Sequence, residues 1–165
     1  MLPNGTSPLH FAAQSGDVTE IERLVASGIN VNVQDANGNT PLKYACAEHH
    51  VPAIRRLLKL GASAALAYRR GFTPLHCAAG HGFYVEAVEI ARLLIDHGAN
   101  VNARSLEHGF TPLHEVHGAT MIEFLLSRGA DPAIRDAQDL TPLERLLEDE
   151  SFRAAGHLEE VLAKR

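Results

Sequence analysis

The sequence predicts an all-α (helix-rich) solenoid, and three observations carry that prediction. One motif, a hydroxyl or polar residue followed by Pro-Leu, recurs along the 165 residues as "TSPLHFAAQSG" (6–16), "NTPLKYACAEH" (39–49), "FTPLHCAAGHG" (72–82), "FTPLHEVHG" (110–118) and "LTPLERLLEDE" (140–150). The prolines, Pro8, Pro41, Pro74, Pro112 and Pro142, stand 33, 33, 38 and 30 residues apart. A second motif follows in register behind each of the first four: "SGINVN", "LGASAA", "HGANVN" and "RGADPA". Repetition at this period is the mark of stacked structural units. A single unit of that size cannot bury its apolar face, whereas neighbours in a stack bury one another's.

Each element of the unit follows from its residues. Thr or Ser before Pro supplies a capping hydroxyl and then a proline at the first helical position, which starts a helix. "PLHFAAQS" is then a short helix whose alanines allow a neighbour to approach closely. Gly16 and Gly82 provide a turn. "VTEIERLVAS" sets Val18, Ile21, Leu24 and Val25 at helical spacing and so forms a second, amphipathic helix. Gly28 ends it, and the chain runs out to "QDANGNT", where Asn37-Gly38 signals a tight turn. His49 stands where other units have glycine, a turn position that His occupies with some strain. The units divide at 1–34, 35–67, 68–104, 105–137 and 138–165.

The run G-x-T-P-L-H-x-A-A, a glycine, an apolar helix, L-L, G-A and an Asn-containing segment resembles the ankyrin-repeat family, in five copies over essentially the whole chain. The resemblance implies a stack of helix pairs with hairpin fingers, which binds partners through its finger tips and first helices on the concave side. It also implies that His10, His76 and His114, at the His of T-P-L-H, hydrogen-bond the backbone between repeats.

Composition narrows the function. An apolar fraction of 45% and a charged fraction of 21% are those of a soluble globular chain, and no apolar run approaches a membrane span. No basic region followed by an apolar core opens the sequence, and two cysteines fit a reducing compartment, so a cytoplasmic location is expected. Asn4-Gly5-Thr6 matches a glycosylation sequon that such a location leaves idle. The net charge of −5 argues against a nucleic-acid partner.

The stretch "GFTPLHCAAGHG" (71–82) places His76, Cys77 and His81 close together, as a metal site or an activated thiol would. Its alignment with the other units argues otherwise. Lys43 and Glu144 hold the His76 position elsewhere, Cys77 aligns with Phe11 and Tyr44, and Cys46 aligns with Ala13 and Ala79. A structural role is the simpler reading of all of them. No phosphate loop, dinucleotide fingerprint, zinc-protease motif or nucleophile elbow is present. The carboxylates of 147–150 and 158–160 read as solvated helix faces. No catalytic residue, metal ligand or cofactor is therefore assigned.

Departures from the repeat locate the candidate site. Repeat 3 carries about four extra residues in 82–98, enough for one added turn of its second helix with Val88, Ala91, Leu94 and Ile95 still in phase. Repeat 4 is three residues short; Glu115 and His117 replace small or apolar residues, so a short first helix and a notch in the concave wall are expected. The charged last repeat suits a cap. The position before T-P-L-H is variable in the family and holds Thr6, Asn39, Phe72, Phe110 and Leu140, which predicts an exposed apolar strip over the C-terminal fingers. Tyr68, Arg69 and Arg70 share the Phe72 finger, with His81 and His117 on the helices behind, able to meet on the concave face.

Partner-binding residues are thus expected at Tyr68, Arg69, Arg70, Phe72, His81, Phe110, Glu115, His117 and Leu140 of a module that is monomeric when unbound. The same surface suits a dedicated inhibitor, an immunity protein or an effector that blocks its partner. A histidine-based metal protein and a purely structural spacer are the alternatives of other classes.

Overall fold

The computed structural model describes residues 3–148 and 152–164. Its helices are α1 (Pro8–Ser15), α2 (Val18–Ala26), α3 (Pro41–Ala47), α4 (Val51–Lys59), α5 (Pro74–Gly80), α6 (Ala87–Asp96), α7 (Ala119–Ser127), α8 (Pro142–Glu148) and α9 (Phe152–Ala163). They form two rows. First helices stack as α1, α3 and α5, and second helices stack as α2, α4, α6, α7 and α9. The all-α solenoid read from the sequence is the observed architecture.

Local chemistry sets the helix boundaries. Ser7, Thr40 and Thr73 are extended residues directly before the proline at the first helical position of α1, α3 and α5. Gly16 closes α1 in the left-handed conformation, and the Asp17 carboxylate accepts the Glu20 N–H at 2.9 Å to start α2. His49 does adopt the left-handed conformation expected of a glycine there, at φ 57°. The core runs unbroken through the stack. Leu9, Leu42, Leu75 and Leu113 on the first-helix side, with Ile21, Ile54, Leu57, Ile90, Leu94, Ile122 and Leu125 on the second, are fully buried.

Three expectations are corrected. The extra residues of repeat 3 do not add a turn of helix: α6 has ten residues against nine in α2, α4 and α7. They form instead a turn before Ala87, because Gly82 packs against the backbone of repeat 4 and holds the chain out of the helix. An ideal Cβ on Gly82 would lie 1.6 Å from the His117 carbonyl oxygen. Repeat 4 has lost its first helix altogether; residues 111–115 make a single turn closed by His114 N–H to Thr111 O (2.9 Å) and Glu115 N–H to Pro112 O (3.2 Å). The expected notch is also absent, since the turn of repeat 3 lies over this segment. His117 N–H donates to Ala79 O at 3.1 Å, and Phe83 stacks on His117 with ring centroids 5.4 Å apart. The insertion in one repeat fills the deletion in the next.

Of the carboxylates read as solvated faces, Glu148, Glu159 and Glu160 are exposed, while Asp149 and Glu150 lie outside the described residues.

Candidate functional site

The scaffold uses its histidines to bridge repeats. In repeat 3 the Thr73 N–H donates to His76 Nδ1 (3.1 Å), so the ring proton sits on Nε2, which donates to the Phe110 carbonyl (2.9 Å). His10 reaches Asn39 O (2.9 Å) and His114 reaches Leu140 O (3.2 Å) in the same way. Asn32 and Asn102 add a second bridge. Each gives its amide N–H to the carbonyl of the next repeat's glycine, Gly61 or Gly129 (3.1 Å each), and accepts a backbone N–H from Ser63 or Asp131. The fingers are joined by backbone bonds: Ala36 N–H to Asn4 O, Arg69 N–H to Asn37 O, Leu106 N–H to Arg70 O and Ala137 N–H to His108 O. Repeat 2 lacks both side-chain bridges, because Lys43 replaces the histidine and Ala65 the asparagine. Repeat 5 replaces its histidine with Glu144, whose carboxylate accepts the Thr141 N–H (2.7 Å) in a capping box.

The bridging tautomer makes stability depend on pH. Burial pushes His76 and His114 below the usual histidine value, and burial, His49 and Lys43 do the same to His81. The fold holds these rings neutral, so below about pH 6.5 the unfolded chain takes up protons that the folded chain does not. Stability is expected to be level above pH 7 and to fall as pH drops from about 6.5 toward 5. Urea midpoints across that range check this; a flat profile would contradict the neutral-bridge assignment. Loss below about pH 4 belongs instead to Asp35 and Asp136. Burial raises both carboxylates, but the Asn39 hydrogen bonds to Asp35 and the Arg145 hydrogen bond to Asp136 bring them net low.

The cysteines carry no activated thiol. Cys77 Sγ lies 3.8 Å from His81 Nδ1, but burial raises its pKa, and Cys46 is fully buried and raised well above the usual thiol value. No group of three or more His, Cys, Asp or Glu among the described residues is arranged to hold a metal ion.

The anticipated apolar strip is not exposed. Phe72 is half-buried between Tyr68 (ring centroids 6.4 Å) and His76 (5.2 Å). Phe110 is half-buried beside His108 and His114, with the Arg145 guanidinium 5.1 Å from its centroid. Leu140 is half-buried too, and its carbonyl receives the His114 bridge. The neighbours of all three stand on the same or the next repeat. Arg70 pairs with Glu107 at 2.8 Å, Arg69 is exposed, and Glu115 is half-buried on the turn of repeat 4. His81 packs edge-on to His49 (4.9 Å) and Tyr84 (5.9 Å), and His117 carries Phe83 while standing close enough to act electrostatically on His81.

Besides Leu106 on the fourth finger and Phe11 on α1, the main exposed apolar surface lies elsewhere. The repeat 3 turn presents Phe83, Tyr84 and Val85 at 78%, 55% and 93% exposure. This knuckle is braced on both sides, by Phe83 on His117 and by Tyr84 stacked on His49 at 4.2 Å. His49 Nε2 is buried there without a hydrogen-bond partner among the described residues. The sequence signal for the knuckle was the aromatic pair inside an insertion, masked by reading the insertion as helix.

Stacked helix pairs, His bridges and glycine-ended second helices define a repeat solenoid of the ankyrin class. A family model described as ankyrin repeats in three copies matches residues 1–67 and 61–136, and the chain belongs to the ankyrin-repeat family. A fowlpox virus ankyrin repeat protein is 44% identical over 64 residues, covering 37% of this chain and 34% of that protein. A second fowlpox virus ankyrin repeat protein is 36% identical over 69 residues, 41% of this chain and 14% of the relative. The human 2-5A-dependent ribonuclease is 40% identical over 60 residues, 34% of this chain and 8% of the enzyme. The matches thus span about a third or less of each relative. Ankyrin repeats are in general protein–protein interaction modules and not catalysts. No helix among the described residues is long and apolar enough to cross a membrane.

Proposed function

We propose that this chain is a non-catalytic module that binds a protein partner through the knuckle of repeat 3 and the fingers beside it. The observation that carries the reading is the braced exposure of Phe83, Tyr84 and Val85. Aromatic side chains held rigidly in solvent lose little entropy on binding and supply large contact area, which is the character of interface anchors. A structural spacer has no use for such a surface, and exposed apolar side chains carry a cost in aggregation.

His81 and His117 pack against the knuckle aromatics, Glu115 lies on the turn of repeat 4, and Tyr68, Arg69 and Arg70 extend the surface on the finger at the other end of α5. Phe72, Phe110 and Leu140 act by holding the fingers in place. By occupying its partner's surface the module blocks, tethers or sequesters it, acting as a monomer in the cytoplasm, where the free thiols of Cys46 and Cys77 stay reduced.

Quantitative capture from the source cell with wild-type protein and with a Phe83→Ser/Tyr84→Ser/Val85→Ser variant tests this. Retention of the principal partner should fall at least tenfold, roughly the loss of one or two anchors. The variant should unfold at only a slightly lower urea concentration, because these side chains are outside the core and give up only their stacks on His117 and His49. Equal retention by both proteins would remove the knuckle from the interface.

A further inference from the structure

Lys43 breaks the pattern of the first helices. Repeats 1, 3 and 4 place a histidine at this position and use it to reach the next finger. The lysine ammonium makes no such bridge; it lies 5.3 Å from the Tyr44 ring centroid and 5.6 Å from that of Tyr68. A cleft of about 440 Å³ opens there between the second and third fingers, lined by Asn37, Asn39, Lys43, Tyr68, Arg69 and Arg70.

Two of its three cations have no ion-pair partner among the described residues. Arg23, Arg55, Arg56, Arg70, Arg128, Arg135 and Arg145 each face a carboxylate. Neither Lys43 nor Arg69 has one within ion-pair distance among the described residues. In a chain of net charge −5 an acidic neighbour would be easy to supply. The nearest acid on the finger, Asp35, is already engaged: it accepts from the N–H groups of Asn37 and Asn39, the Asn39 amide and the Tyr44 hydroxyl.

The cleft is also firmly built. The Arg69 N–H donates to Asn37 O at 3.0 Å, the Tyr44 hydroxyl donates to Asp35 at 2.9 Å, and the Arg70–Glu107 pair ties the third finger to the fourth.

We propose that this cleft is a carboxylate-binding subsite, which takes an Asp or Glu side chain from an acidic segment of the protein partner. Lys43 supplies a half-buried point charge at the floor, Arg69 a planar guanidinium at the rim, and Tyr68 an apolar wall for the methylenes of the incoming side chain. The subsite deepens the protein-binding reading and rests on it. The bound segment has a defined character: an acidic residue in the cleft, apolar residues toward the knuckle.

Lys43→His tests the assignment without harming the scaffold. A histidine there can accept the Thr40 N–H and donate to the Phe72 carbonyl, repeating the bridge of its neighbours, so the variant should melt at a higher temperature. The probe is a short fluorescein-labelled peptide of alternating Glu and Ala, followed by anisotropy at fixed ionic strength and by amide chemical shifts. The wild type should bind it, with shifts at Asn37, Asn39 and Arg69, and the Gln-for-Glu peptide should not bind. Lys43→His and Arg69→Gln should each weaken binding by about tenfold, as removal of one partner of a close charge pair does. Unchanged affinity in Lys43→His, or shifts confined to Arg55, Arg56 and Lys59 on the outer face, would overturn the subsite. So would displacement of the peptide by inorganic phosphate more strongly than by acetate at equal ionic strength, since that would mark a phosphate site. The knuckle triple variant should keep full affinity for this peptide. Peptide binding that fails while partner capture still needs the knuckle would defeat the subsite alone. Capture that ignores the knuckle while the peptide binds would defeat the wider reading alone.

Discussion

Leu75→Ala should cost roughly 2–5 kcal/mol of unfolding free energy, the range for truncating a fully buried leucine. Leu75 sits in α5 at the middle of the stack and is inaccessible to solvent, with Leu42 and Leu113 holding the equivalent places in the repeats on either side. In a solenoid each unit is stable only through its neighbours, so a cavity in the central repeat weakens two interfaces at once. Leu146→Ala in α8 should cost less, because among the described residues α8 packs chiefly against α9, whereas α5 packs against both α3 and α6. Urea denaturation followed by circular dichroism compares the two. Equal losses would mean that the array does not couple through its centre.

Gly82→Ala is expected to destabilise by about 3 kcal/mol or more, at the upper end for overpacking. The added methyl would lie 1.6 Å from the His117 carbonyl oxygen and 2.8 Å from its carbonyl carbon, with the Ala79 carbonyl oxygen at 3.2 Å on the other side. These are backbone atoms, which cannot turn aside as the end of a side chain would. Relief requires the turn of repeat 3 to lift from repeat 4, breaking the His117 to Ala79 hydrogen bond and the Phe83–His117 stack. Gly156→Ala is the control. Nothing lies within 4 Å of its Cβ position in α9, so the same change there should stabilise by about 0.5–1 kcal/mol through helix propensity.

Much of the fold was legible in the sequence because it depends on local chemistry repeated in register. The Thr-Pro starts, the left-handed His49 and the packing role of Cys46 follow from aligning one unit on another, and the histidine bridges from the resemblance to ankyrin repeats. The repeat 3 insertion was not legible, for a physical reason. Four residues are close to one helical turn, so apolar periodicity is the same whether the insert extends a helix or loops out before it. What decided it was the backbone contact between Gly82 and His117, thirty-five residues apart in sequence. The orientation of Phe72 and Phe110 was hidden likewise, since Tyr68, His76, His114 and Arg145 become their neighbours only after the fingers fold. Lys43 was noticed as an exception to the histidine pattern, but the cleft that gives it meaning needs the third finger in place.

Amide hydrogen exchange of the captured complex against the free protein tests the binding surface most directly. Protection is expected at residues 68–72 and 81–85 and at His117, with little change along α2, α4 and α6. Protection concentrated on those outer helices, with the knuckle exchanging as freely as before, would contradict the proposed interface.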